Sequence, residues 1–330
     1  MPGGLDFLST RCTLRPEHPV FSLDRLDATS QLVRSLLPET PQLVWPLLSQ
    51  RLGAEVWVKH ENHLPTGAFK VRGGLVYLED LRHNGSAPRG VIAATRGNHG
   101  QSVAFAARRL GLRAVIAVPV GNGKEKNAAM RALGAELVEI GHDFQAAREW
   151  SIARAESEGL HLVPPWHPLL VRGVATASLE LLRAVPDLDL VFVPVGMGSG
   201  LCAMIAARDA LGHPARIIGV SAEGAPAYAL SFKERRPVST ERADTIADGV
   251  ATRSPDPEAL AMILAGAEDL VMVSEASIRW AMRHYFTDVH QVAEGAAAAA
   301  LAAAGIEVVM DRCTLADHRR LRLGRPHAHH

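Results

Sequence analysis

The chain has 330 residues, 48% of them hydrophobic, with 35 basic side chains balanced by 35 acidic ones. At roughly 150 residues per domain this length suggests about two domains, and the apolar share supplies each with a core, which excludes disorder for the bulk of the chain. Balanced charge also removes any whole-molecule field that would draw the protein to nucleic acid or an anionic membrane.

Cysteine is scarce. Cys12, Cys202 and Cys313 are far apart and form no CxxC pair, the usage of a reducing compartment, so a cytoplasmic location is expected. Met1 to Thr10 lacks a basic stretch followed by an apolar one, and no window approaches the roughly 18 to 20 apolar residues of a membrane span. Lysine is scarce too: only Lys59, Lys70, Lys124, Lys126 and Lys233 accompany the arginines, so a catalytic lysine has few possible positions.

From about residue 55 onward, short β-branched runs alternate with helical patterns in the rhythm of βαβ units. Val91 to Thr95 reads as a strand and Ser102 to Leu110 as a helix. The strand Ala114 to Val118 precedes a helix at Glu125 to Leu133, and Leu137 to Ile140 precedes a helix at Asp143 to Glu156. Pro164-Pro165 interrupts the pattern. It resumes with a helix at Val174 to Leu182, a strand at Leu190 to Val195, a helix at Leu201 to Ala210 and a strand at Ile217 to Ser221. Two sheets are expected. Phe232 to Pro257 has weak periodicity and reads as an extended excursion, followed by helices at Glu275 to His284 and Val292 to Ala304. The tail beyond Arg320 is short and basic.

Three stretches carry chemistry. Glu61 to Gly74 places Lys70 at a helix start, after a Pro-Thr-Gly turn and between apolar Phe69 and Val71. Desolvation and the positive helix end both favour its neutral amine, the form required for Schiff-base chemistry. Thr95-Arg96-Gly97-Asn98-His99-Gly100-Gln101 lies between strand and helix, where free amides can cradle a carboxylate and Asn98 can meet a cofactor hydroxyl. Taken alone, this stretch is an ordinary turn. The glycines of Pro194 to Leu201 let the backbone wrap a phosphate; their GxGxG spacing is not the GxGxxG of a dinucleotide site, and no P-loop is present.

A Schiff-base lysine, a carboxylate cradle and a phosphate loop together point to pyridoxal phosphate. With Gly173-x-x-Thr176, Ala247-Asp248-Gly249 and Ala293-Glu294-Gly295-Ala296, these stretches form six blocks between about residues 20 and 304. In that order they resemble the fold-type-II pyridoxal-phosphate enzymes, the tryptophan synthase β-like group, and within it the threonine/serine dehydratases and serine racemases.

The resemblance implies an α/β fold of two doubly wound, Rossmann-like domains with the cofactor in the cleft between them. Residues 1–88 and 162–330 would form the larger domain, and 89–161 a smaller mobile one carrying the carboxylate loop. Lys70 would hold the cofactor as a Schiff base and act as base on the substrate Cα. Phe69 would pack near the ring, and Asn98 would bond its phenolic oxygen. Gly196, Met197, Gly198, Ser199 and Gly200 would hold the phosphate, with Glu294 near the cofactor. Thr95, Arg96, Gly97, Asn98 and His99 would bind the substrate carboxylate. The implied partner is a small amino acid, and the implied assembly a homodimer.

Three departures bear on the activity. Racemases of the group carry a serine where this chain has Arg96, and a permanently charged arginine is a poor proton shuttle. Elimination from L-threonine, L-serine or a related β-hydroxy amino acid is therefore expected before racemisation, β-replacement or cofactor binding without turnover. At a frequent cation-ligand position stands Ser221, with Glu223 two residues on, so the metal is left open. After an expected strand at Ile306 to Met310, the usual Ser-Gly-Gly-Asn turn is replaced by Asp311-Arg312-Cys313-Thr314. Of these, Cys313 is placed first opposite the pyridine nitrogen.

Overall fold

The computed structural model describes residues 19–85 and 88–314, with side chains described between residues 20 and 305. A 3-10 turn at Pro19–Phe21 leads to α1 (Leu23–Arg34), β1 (Gln42–Val44), α2 (Pro46–Leu52) and β2 (Trp57–Lys59). Proline opens α2, where its missing N–H costs nothing, and Gly53 ends it in the left-handed conformation. β1 and β2 pair antiparallel, so a short two-stranded sheet joins the two that the sequence suggests.

α3 (Lys70–His83) precedes β3 (Val91–Ala94), α4 (Asn98–Arg109), β4 (Ala114–Val118), α5 (Lys124–Ala132), β5 (Glu136–Glu139), α6 (Phe144–Glu158) and β6 (His161–Leu162). The four strands form a parallel sheet in the order β5-β4-β3-β6. Every residue of β3 and β4 is buried, as strands covered on both faces require.

The remaining elements are α7 (Pro168–Ala184), β7 (Leu190–Pro194), α8 (Ser199–Leu211), β8 (Arg216–Ala222), α9 (Ala227–Glu234), α10 (Pro257–Gly266), β9 (Asp269–Val273), α11 (Glu275–Val289) and α12 (Gly295–Thr314). β7, β8 and β9 make a second parallel sheet in sequence order. Between α9 and α10 the chain is irregular apart from a 3-10 turn at Asp248–Val250, in agreement with the expected excursion. Asp256 stops that excursion by accepting bonds from the Glu258 and Ala259 amides, and Pro257 opens α10.

α3 stands between the two halves. Val71, Leu75 and Leu78 pack into the core with Val91, Ile116 and Met130 of the four-stranded side, while the helix also lies against α7. Contact is close enough that a Cβ on Gly173 would meet the Arg72 carbonyl oxygen at 2.5 Å and Gly73 Cα at 2.7 Å. The Arg72 side chain is wholly buried. Its guanidinium donates to Glu180 at 2.7 and 2.9 Å, to Glu61 at 2.8 and 3.0 Å, and to Thr176 Oγ1 at 3.1 Å. Thus Gly173 and Thr176 act together: one admits the first turn of α3, and the other bonds to it.

The expected late strand is corrected. Ile306–Met310 lies within α12, because the alanine-rich run that begins the helix has high helical propensity and no proline follows to stop it. Asp311, Cys313 and Thr314 are on the same helix, and their side chains lie outside the described residues; so does Cys12, with the tail beyond 314. No described helix is long and apolar enough to cross a membrane.

Candidate active site

Lys70 enters the site through local geometry. Gly67 takes a left-handed φ of 65°, which favours glycine, and the turn delivers Lys70 as the first residue of α3. Ser102 Oγ of α4 donates to the Lys70 carbonyl at 2.6 Å, fixing that turn. The half-buried side chain brings Nζ to 4.7 Å from the Phe69 ring centroid. Burial pushes the Lys70 pKa below the usual lysine range; Glu294 opposes the shift and Lys126 adds to it.

The strand-to-helix stretch lies beside it. Thr95 Oγ1 accepts from the amides of Gly97 at 3.0 Å and Gly100 at 3.4 Å. The N-cap of α4, whose first residue is Asn98, is Gly97, so in its first turn Thr95 Oγ1 takes the Gly100 amide. Asn98 Nδ2 donates to Glu294 Oε1 at 2.6 Å. Arg96 is half-buried. His99 bonds to the Val163 backbone, and burial first, then the Lys70 charge, push its pKa down to about 4. Its Nε2 is buried without a partner, a bare acceptor lone pair in the neutral ring.

The glycine loop joins β7 to α8. A Cβ on Gly196 would sit 2.2 Å from the Gly249 carbonyl oxygen, and Gly198 has a φ of 93°, so both positions need glycine. No side chain caps α8. Its first-turn amides therefore form a cradle without a resident acceptor. Tyr228 Oη donates to the Met197 carbonyl at 3.1 Å and accepts from the Asp256 amide at 3.1 Å, bracing the loop. The place of a Cβ on Gly200 is 3.3 Å from Phe69 Cζ, which sets the loop beside Lys70.

Phe69, Lys70 and Gly200 are thus neighbours, and Asn98 meets Glu294. Sequence reasoning missed a link: Lys126 Nζ of α5 bonds Asp248 Oδ2 at 2.8 Å and approaches Glu294 Oε2 at 3.6 Å. Its signals were the scarcity of lysine and the Ala247-Asp248-Gly249 turn. Among the described residues, no group of three or more His, Cys, Asp or Glu side chains could hold a metal ion. Ser221 Oγ is buried without a partner.

An amine made less basic by burial, an uncapped helix start behind a glycine turn, and an amide that can reach a hydroxyl fit an enzyme using a phosphorylated aldehyde cofactor. The chain belongs to the family described as pyridoxal-phosphate dependent enzyme, whose profile matches residues 33–314. It is 36% identical over 265 residues to the biosynthetic L-threonine dehydratase of Escherichia coli, covering 80% of this chain and 51% of that one. Identity to an L-threonine ammonia-lyase of Geobacter sulfurreducens is also 36%, over 77% of this chain and 63% of that protein. Among solved structures, threonine deaminase isoform 2 of Solanum lycopersicum, in its processed form, superposes with a TM-score of 0.81 at 30% identity, over 88% of this chain and 82% of that one. The chain spans about half the length of the first curated relatives it matches.

Proposed function

We propose that the protein is an ammonia-lyase that converts L-threonine, L-serine or a related β-hydroxy amino acid to a 2-oxo acid and ammonia. The observation that carries the reading is the meeting of Lys70, the carboxylate stretch and the glycine loop, in a chain whose relatives are named threonine dehydratases and ammonia-lyases. Pyridoxal phosphate, when bound, supplies a conjugated ring system that delocalises the electron pair left when the substrate Cα loses its proton.

The chain's own residues do the rest. Lys70 Nζ would hold the cofactor and take the substrate Cα proton; its lowered pKa leaves more of it neutral for that task. Phe69 flanks the ring. The amides of Gly196, Met197, Gly198, Ser199 and Gly200 would hold the phosphate at the start of α8. Thr95, Arg96, Gly97, Asn98 and His99 would receive the substrate carboxylate, and the Asn98 N–H not given to Glu294 would be free for the phenolic oxygen. The β-hydroxyl would depart as water with the proton that Lys70 took from Cα, and hydrolysis of the released enamine would give the 2-oxo acid and ammonia.

The same reading makes 89–161 the smaller mobile domain against 1–88 with 162–330, and the assembly a cytoplasmic homodimer. A panel of β-hydroxy amino acids assayed for 2-oxo acid release tests the activity. We expect pyruvate from L-serine with little D-serine, since Arg96 replaces the opposite-face serine; dominant D-serine would make the protein a racemase.

A further inference from the structure

We propose that Lys126 is a positioning residue of the cofactor site, bridging Asp248 and Glu294 so that the Asn98 amide is fixed and a second positive charge stands near Lys70. The inference rests on the assignment of Lys70 and Asn98 above and is independent of which amino acid is the substrate.

The chain of contacts crosses the molecule. Lys126 lies in the first turn of α5, on the side of the four-stranded sheet, whereas Asp248 and Glu294 lie in the 3-10 turn before α10 and just ahead of α12. Lys126 Nζ is 2.8 Å from Asp248 Oδ2 and 3.6 Å from Glu294 Oε2, and Glu294 spends its other oxygen on Asn98 Nδ2 at 2.6 Å. The Lys126 stem runs past the carboxylate stretch, with Cδ 3.0 Å from where a Gly97 Cβ would stand. A carboxylate that accepts from an amide N–H and faces an ammonium determines which end of that amide is the donor. Removing Lys126 therefore releases Glu294, and with it the orientation of Asn98.

Lys126 has a second effect through charge. The charged and titratable groups that act on Lys70 are Glu294, which favours its ammonium, and Lys126, which disfavours it; Lys70 in turn acts on His99. Without Lys126, Glu294 acts on Lys70 unopposed, and the neutral amine appears only at higher pH.

The test follows cofactor capture. Wild type, Lys126→Met, Lys126→Arg and Asp248→Asn are stripped of cofactor, pyridoxal phosphate is added across a pH series, and the capture rate and the visible spectrum of the bound cofactor are read. Lys126→Met is expected to move the pH midpoint of capture upward, beyond the scatter of repeated wild-type titrations, and to shift the absorption maximum. Lys126→Arg, which keeps the charge, is expected to restore both, and Asp248→Asn, which removes a carboxylate and leaves Lys126 to Glu294, to move the midpoint in the opposite, downward sense. A wild-type midpoint and spectrum in Lys126→Met overturn the inference, even if turnover or thermal stability falls. Should Lys126→Met fail to fold by circular dichroism, Lys126→Gln in the same pH series decides: an upward shift supports the inference and no change overturns it. Borohydride trapping of Lys70→Ala separates the two readings, because covalent capture retained there removes the Lys70 assignment itself.

Discussion

Among five lysines the structure leaves one suited to covalent work. Lys59 spends its ammonium on Glu180, the Thr40 carbonyl and Gln42, Lys126 is ion-paired, and Lys124 and Lys233 are exposed. Lys70 is half-buried and forms no ion pair with a described residue, so burial is the largest influence on its protonation, ahead of Glu294 and Lys126. Lys70→Ala is expected to lower 2-oxo acid formation by at least about 10²- to 10⁴-fold, the usual worth of a positioned acid–base group, measured as product released with saturating pyridoxal phosphate. Turnover near that of wild type would remove Lys70 from the mechanism. At this scale the sequence was informative for a definite reason: Lys70, Asn98 and the glycines are held by turns and helix starts within a few residues of themselves. The pairing of Lys126 with Asp248 was not legible, although both residues stood out in the sequence, because an ion pair between segments so far apart in the chain depends on how the halves pack.

At the scale of elements, α3 carries the site and its first turn is held from behind. Arg72, two residues after Lys70, satisfies two carboxylates with a side chain that has no exposure. Arg72→Met would leave Glu61 without a cation and Glu180 with Lys59 alone. Breaking a buried pair from one side costs about 3 to 5 kcal/mol, so the urea midpoint of unfolding is expected to fall markedly, and turnover to fall with it as the start of α3 loosens. An unchanged midpoint would show that the cluster contributes nothing to stability. Periodicity located α4, α5 and α6 to within a few residues, and missed the ends of α7 and α12. In α7, Pro168 at the first position starts the helix earlier than its apolar pattern begins. In α12, alanine propensity prevailed over the family pattern that led us to expect a strand.

For the whole molecule, alternating β-branched runs and helices were sufficient to anticipate two parallel sheets, since covered strands read as continuous apolar stretches. The antiparallel β1 and β2 pair was not anticipated, because strands of three residues carry too little periodicity. Global stability should depend on pH through His99. Its folded-state pKa of about 4 lies below the usual histidine value near 6.5, so the unfolded chain binds more protons between those limits. This contribution is therefore complete above about pH 6.5 and is lost as pH falls toward 4, up to about 3 kcal/mol from this one group. Denaturant titrations at pH 7.5 and about pH 4.5 should show the difference, and His99→Gln should flatten it; an equal slope in the variant would place the effect elsewhere. The contact between Gly196 and the Gly249 carbonyl has a practical outcome for anyone re-engineering this scaffold. The two turns fit like meshed gear teeth, so libraries that diversify one while freezing the other will yield mainly misassembled clones, and altered selectivity is better sought at positions whose side chains have room to grow.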